Sequence, residues 1–86
     1  MLTYHLDPQS KTPLYEQLYR AIRTDIMSGA LAGGERLPSK RQLSANLRVS
    51  QITVETAYAQ LLAEGYIISE PRRGYFVQRQ LAVPAQ

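Results

Sequence analysis

Two pairs of basic residues and one polar helix face are the parts of this sequence best suited to chemistry. Lys40-Arg41 and Arg72-Arg73 are adjacent cations, and between them lies the segment 50–56, SQITVET, in which five of seven residues are polar. Arginine and lysine bind phosphate oxygens, whereas serine, threonine and glutamine can hydrogen-bond to base edges. The combination predicts a binding surface for a nucleic acid.

The residues offer little for an enzymatic site. His5 is the single histidine, and it lies in a polar segment interrupted by prolines. No pair of acidic residues and no cluster of metal ligands is placed on a predicted helix or strand that would hold it in position. The absence of cysteine excludes disulfides and thiolate zinc sites and fits the cytoplasm. We therefore predict no enzymatic activity, and no cofactor or metal held by these residues.

Length and charge limit the number of domains and the kinds of partner. A chain of 86 residues makes one small domain, and no apolar run is long enough to span a membrane. The net charge is +3, but residues 1–35 carry −1 and residues 36–86 carry +4. A basic half suggests a polyanionic partner, although an ordinary solvated surface explains the charge equally well.

Helical spacing and caps predict three helices. Thr12-Pro13 begins the first, which ends at about Ser28 before Gly29. Ser39 caps the second and forms a capping box with Gln42. The apolar residues of the first and second helices are Leu14, Leu18, Ala21, Ile22, Ile26, Leu43 and Leu47.

The third helix is predicted over about 50–64, with Ser50 as its cap and Gly65 as its stop. Its buried stripe consists of Val54, Ala57, Tyr58, Leu61 and Leu62. Two strands, 66–69 and 75–77, follow, with 70–74 as the loop of a hairpin. The predicted fold is mainly α with a small β-hairpin, a winged helix-turn-helix of three helices plus wing.

The face of helix three opposite the stripe consists of Ile52, Thr56, Ala59 and Ala63, and its N-terminal end is flanked by Gln51, Thr53 and Glu55. Against DNA, Ile52 could contact a thymine methyl, Gln51 could pair with adenine, and the threonines could reach bases or phosphates. The alternative is that Ile52 packs under helix one or the N-terminal arm.

The basic pairs fit the DNA backbone. Lys40 and Arg41 lie in the first turn of helix two, where positive charge opposes the helix dipole, which suggests phosphate binding. Arg72 and Arg73 at the wing tip could lie over the backbone or enter the minor groove. A solvated lysine–arginine pair is the alternative.

Two other wing residues have predicted roles. Gly74 is expected to supply the positive φ of the loop. Tyr75 could stack at the DNA edge or pack across the strands.

Several linked segments resemble the DNA-binding domain of the GntR family of bacterial transcription regulators. They are PLYEQLYRAIRTDIMSGAL, GERLPSKRQLSANLRVSQITVETAYAQLLAEGYI and RRGYFV, within residues 13–77. The AYAQLLAEGYI and RRGYFV forms look most like the MocR subfamily. The resemblance implies DNA contacts from the start of helix two, the first half of helix three and the wing glycine.

Three positions depart from the family pattern. Gln51 stands where arginine is frequent, Glu55 where some members have a DNA-facing arginine, and Arg48 where a turn glycine is common. A carboxylate at Glu55 would repel phosphate, though it could accept from a cytosine amino group. A positive φ at Arg48 would cost of order 1 kcal/mol, with a phosphate contact as its gain.

We expect an N-terminal arm over 1–12, the DNA-binding domain over 13–78 and the start of a linker over 79–86. The partners expected are double-stranded DNA and, in a longer protein, a second copy; a winged-helix protein-interaction module is the alternative. The MocR resemblance implies that this chain is a fragment of a longer regulator, with a free-standing small regulator as the alternative. It also implies that pyridoxal 5′-phosphate binds only in a missing C-terminal domain. The DNA-binding residues predicted are Lys40, Arg41, Arg48, Ser50, Gln51, Ile52, Thr53, Thr56, Arg72, Arg73, Gly74 and Tyr75.

Overall fold

The computed structural model describes residues 4–79, which form three helices followed by a two-stranded hairpin. Helices α1, α2 and α3 span Leu14–Ser28, Lys40–Leu47 and Gln51–Ala63, and strands β1 and β2 span Ile67–Glu70 and Gly74–Val77. The strands are antiparallel neighbours. The predicted winged helix-turn-helix is thus confirmed.

The N-cap of helix α1 is one residue later than predicted, at Pro13 instead of Thr12. Pro13 occupies the N-cap position with an extended backbone (φ −56°, ψ 149°) and no side-chain cap bond. Thr12 does not cap because it belongs to the preceding turn, where its N–H donates to the Ser10 hydroxyl over 3.1 Å. The other end is as predicted, since Gly29 adopts a left-handed conformation (φ 88°) that glycine accepts without a steric cost.

The segment before α1 is held against that helix. The Tyr4 hydroxyl donates to Asp25 Oδ2 over 2.7 Å, and the Asp7 N–H donates to Gln17 Oε1 over 2.8 Å. Leu6 packs against the core. The first three residues of the predicted arm and the predicted linker beyond Arg79 lie outside the described residues.

The predicted caps of α2 and α3 are both present. Ser39 Oγ accepts from the Gln42 N–H over 3.0 Å, and Gln42 Oε1 accepts from the Ser39 N–H over 3.1 Å, which completes the capping box. Ser50 Oγ accepts from the Thr53 N–H over 3.1 Å. Each cap satisfies backbone donors that the first helical turn leaves without a partner, so both helices start where the chain specifies.

The core lies between α1, α2, α3 and the inner face of the hairpin. Helices α1 and α3 supply most of its apolar side chains, and α2 contributes through Leu43. The side chains that are at most 1% exposed are Leu18, Ile22, Leu43, Val54, Ala57, Tyr58, Leu61, Ile67 and Val77. This single core fixes α3, because one side of that helix is buried along its length.

The sheet extends further than the sequence predicts. The strands begin one residue later (β1) and one earlier (β2) than predicted, and Glu70 pairs with Gly74. The segment before α2 also pairs with β2: Leu37 N–H donates to Tyr75 O, and Val77 N–H donates to Glu35 O, each over 2.8 Å. This segment was missed because a single bridge, at Arg36, is too short to show a periodic pattern.

Tyr58 joins the helices to the hairpin. Its side chain is 1% exposed, and its hydroxyl donates to the Pro38 carbonyl over 2.8 Å, just before α2. Its ring meets that of Tyr75 edge-on, with centroids 5.0 Å apart and planes at 65°. Burial raises the pKa of Tyr58 well above its usual range, so the hydroxyl remains a donor.

Tyr58→Phe should therefore destabilise the protein. The change leaves the Pro38 carbonyl without its donor, which costs about 1–3 kcal/mol and lowers the midpoint of thermal unfolding by several degrees. Tyr15→Phe is the matched control, because no hydrogen bond from the Tyr15 hydroxyl is seen within residues 4–79. Equal unfolding free energies for the two variants in urea titrations would contradict this role of Tyr58.

Candidate nucleic-acid interface

Three elements meet on one side of α3: the first turn of α2, the N-terminal half of α3 and the wing. Lys40 links all three, since its Nζ lies 3.1 Å from Glu55 Oε2 of α3 and 5.9 Å from the centre of the Tyr75 ring in β2. The predicted site residues come from these elements and from the turn between α2 and α3. The fold therefore brings the start of α2, the first half of α3 and strand β2 of the wing together at Lys40.

The exposed N-terminal half of α3 forms what we call the reading face, made of Gln51, Ile52, Glu55 and Thr56. All four are exposed, and Ile52 is 72% exposed. The alternative that Ile52 packs under α1 or the arm is therefore wrong. A large apolar side chain that the fold leaves in water is available to an apolar partner.

Ser50 and Thr53 are partly occupied by capping. Besides accepting from the Thr53 N–H, Ser50 Oγ lies 2.9 Å from Thr53 Oγ1. Thr53 is also half-buried, unlike its neighbours on the reading face. These two hydroxyls form one linked group at the start of α3, where the helix dipole favours an anion.

The neighbouring cations Lys40 and Arg41 have different environments. Lys40 is half-buried, and the hydrogen bond to Glu55 raises its pKa, so the ammonium stays charged. Arg41 is exposed, and its guanidinium makes no ion pair with any residue between 4 and 79. Arg41 is therefore the better placed of the two to bind an external phosphate.

Arg48 ends α2 in a left-handed conformation, with φ 58° and ψ 46°. A side chain with a Cβ is disfavoured there by roughly 1–2 kcal/mol. Arg48 is exposed in the turn just before α3, and its guanidinium too has no ion pair in the described part of the chain. The strained turn thus presents a free cation.

The two wing arginines also differ. Arg73 pairs with Glu70 over 3.2 Å and lies over the Phe76 ring, 5.5 Å from its centre. Arg72 is exposed, with a positive φ of 66° that the sequence did not predict. Gly74 has the predicted positive φ, at 114°. The hairpin turn therefore holds Arg73 and projects Arg72.

Tyr75 packs inward rather than across the hairpin. Its partner across the strands is Ser69, but its ring contacts Tyr58 of α3 and lies beneath Lys40. The cross-strand packing alternative does not describe this contact, and a contact of Tyr75 with DNA stays a prediction. Its position couples the wing to α3.

The profile of the family described as "Bacterial regulatory proteins, gntR family" matches residues 14–77. The chain belongs to the GntR family. The matched residues span all three helices and the hairpin, so this GntR domain includes every element of the interface.

Curated relatives agree with this assignment. Over 75 residues the domain is 53% identical to the uncharacterized HTH-type transcriptional regulator YhdI of Bacillus subtilis, a match that covers 87% of this chain and 16% of that protein. It is 42% identical over 72 residues to the probable rhizopine catabolism regulatory protein MocR of Rhizobium meliloti, covering 84% and 15%. The chain thus spans about a sixth of the length of these relatives.

Solved structures share the fold. YtrA from Sulfolobus acidocaldarius, a GntR-family transcription factor, superposes with a TM-score of 0.85 at 38% identity, over 93% of this chain and 68% of that chain. The AraR DNA-binding domain in complex with operator ORX1 gives 0.73 at 27% identity, over 87% and 99%. The chain is a GntR-family DNA-binding domain with the architecture of transcription regulators.

Arg36 is a candidate contact that the sequence analysis missed. It bridges to Phe76, and its guanidinium lies against Gly74, where a Cβ would be 3.5 Å from Nε. It is exposed and forms no ion pair within the described range. The signal that the sequence offers is the charged Arg36 directly before the apolar Leu37.

Between residues 4 and 79 the GntR domain has neither a metal-ligand cluster nor a membrane-spanning helix. No group of three or more histidine, aspartate or glutamate side chains could hold a metal ion there. Over the same residues, no helix has both the length and the apolar character needed to cross a bilayer.

Arg48→Gly should stabilise the domain. Glycine relieves the left-handed strain, so the free energy of unfolding should rise by up to about 1 kcal/mol after the entropy cost of glycine. Arg48→Ala is the control, because it removes the same charge but keeps the strain. Urea titrations that find the two variants equally stable would rule out strain at this turn.

Proposed function

We propose that this GntR domain binds operator DNA with α3 in the major groove and the wing on the adjacent backbone or minor groove. The observation that carries the proposal is the reading face, on which Ile52 is 72% exposed at the start of a helix flanked by unpaired cations. A helix N-terminus that contacts base edges is how helix-turn-helix domains read DNA. The relationship to AraR, whose DNA-binding domain is seen on an operator, supports this mode.

Affinity would come mainly from arginines that have no ion pair within residues 4–79. Arg41 lies in the first turn of α2, Arg48 in the turn before α3, and Arg36 against the wing. Contacts to phosphate position a protein on the duplex without reading sequence. These side chains would therefore set the orientation of α3 and the salt dependence of binding.

Specificity for the DNA base sequence would come from the reading face. Ile52 would contact a thymine methyl, and Gln51 would pair with adenine through its amide. Thr56, one turn beyond Ile52, would contact a neighbouring base or phosphate. Ser50 and Thr53 would bind a phosphate at the start of α3, where the capped helix end already attracts an anion.

The wing would act chiefly through Arg72. Arg73 is held by Glu70 and Phe76, so it has to leave that pair before it can bind DNA, whereas Arg72 is free of such contacts between residues 4 and 79. The guanidinium of Arg36 beside Gly74 would add a second charge at the base of the wing. An arginine projecting from a wing suits a narrow minor groove.

We further propose that the protein works as a homodimer in the cytoplasm on paired half-sites, and that this domain itself has no catalytic activity. Two linked domains would bind such a site far more tightly than one, through their effective concentration. Pyridoxal 5′-phosphate, expected only in a further C-terminal domain, stays a prediction.

Selection from a library of random DNA duplexes tests the proposal. The 86-residue chain should enrich a defined motif, and its affinity for that motif should exceed that for a scrambled duplex and fall steeply between about 50 and 200 mM salt. Equal affinity for motif and scramble, or no salt dependence, would contradict it and favour a protein-interaction module.

Arg41→Gln tests the proposed phosphate contact of Arg41. The change should lower affinity about equally for all sequences and reduce the salt slope by about 1, because a phosphate contact is lost. Arg20→Gln is the control, since Arg20 pairs with Glu16 on α1 and lies outside the interface. Equal losses for the two variants would argue against this orientation of the domain.

A further inference from the structure

Glu55 is the residue of the reading face that the proposed function leaves unexplained. It is an acidic side chain among cations, on a surface meant to approach phosphates, and its side chain is 61% exposed. A carboxylate that only stabilised the fold would be expected outside such a surface, because the phosphates repel it. Its surroundings point to a specific use.

The structure neutralises Glu55 without covering it. Lys40 Nζ contacts Oε2 over 3.1 Å, and the larger part of the Glu55 side chain stays open to a ligand. A partly exposed ion pair of this kind adds little to stability. The pair therefore matters mainly for charge and orientation, since it cancels the repulsion that a lone carboxylate would meet in the groove.

The ion pair is itself held in place from the protein side. Lys40 lies over the Tyr75 ring at 5.9 Å, and Tyr75 is packed edge-on against the buried Tyr58. A cation within about 6 Å of a ring centre is attracted to its face. The contacts from Tyr58 through Tyr75 and Lys40 to Glu55 thus begin in the core and end at the reading face.

The chemistry of the carboxylate limits what it can read. An ionised carboxylate only accepts hydrogen bonds. In the major groove the exocyclic amino groups of cytosine and adenine are the donors, and cytosine N4 is the one that pairs with acidic side chains. Adenine also presents N7, an acceptor that repels a carboxylate, so cytosine is the better partner.

We propose that Glu55 is a specificity-determining residue that selects a cytosine in the DNA site, with Lys40 as its positioning residue and counter-ion. This inference rests on the proposed function, in which α3 enters the major groove. It gives Lys40 a role different from that of the phosphate-binding Arg41 beside it. The two roles make different predictions for binding to altered sequences.

The test compares the motifs that the wild type and four variants enrich from the same random duplex library. The wild type should require a C·G pair at one position and prefer it over A·T there by about 5- to 150-fold. Glu55→Gln should lose this preference or shift it toward adenine, because an amide can both donate to N7 and accept from N6. The preferences at the other positions should persist.

Lys40 and Arg41 provide the matched comparison. Lys40→Met should weaken the cytosine preference, and Lys40→Arg should restore it by again providing a cation for Glu55. Arg41→Met should lower affinity for all sequences and leave the motif unchanged. Thermal unfolding of each variant shows that the fold persists, and the base preference is a readout that a merely structural role of Lys40 would not move.

Other outcomes overturn the inference. If Glu55→Gln enriches the same motif as the wild type, Glu55 does not read a base. A uniform gain in affinity with an unchanged motif leads to the same conclusion, since Glu55 would then act only by repulsion. A wild-type chain that enriches no motif contradicts the proposed function itself, so the two failures are distinguishable.

Discussion

The interface depends on the buried side chain of Tyr58. This one residue of α3 anchors the chain before α2 through the Pro38 carbonyl and anchors the wing through the Tyr75 ring. Helix, turn and hairpin are separated in sequence, and no local interaction could fix their relative positions. The geometry of the surface thus depends on this ring and hydroxyl, together with the backbone hydrogen bonds that join the segment before α2 to β2.

Charge on this surface is divided between free and paired cations. Lys40 and Arg73 are held by Glu55 and Glu70, whereas Arg41 and other exposed arginines have no ion pair in the part of the chain that the structure describes. A surface that used every cation alike would bind any DNA strongly and discriminate little. Pairing reduces nonspecific attraction and leaves side chains that can be oriented.

Backbone strain marks two positions, one in the turn before α3 and one at the wing tip. Arg48 and Arg72 both have positive φ, at 58° and 66°, where glycine or asparagine would be less strained. Both are arginines at turns that present cations without an ion pair among residues 4–79. The coincidence of strain with a free charge fits a functional site, since such conformations persist only where the surrounding structure holds them.

The sequence by itself determined the elements: the caps at Ser39 and Ser50, the stop at Gly29 and the buried stripe of α3 act within about four residues, so local patterns suffice to predict them. Only the tertiary structure decided which cations are free. The Lys40–Glu55 pair spans 15 residues, and the contact of Arg36 with Gly74 spans far more. Such contacts depend on how the helices and strands pack around the core, and the spacing of residues along the chain does not encode this packing.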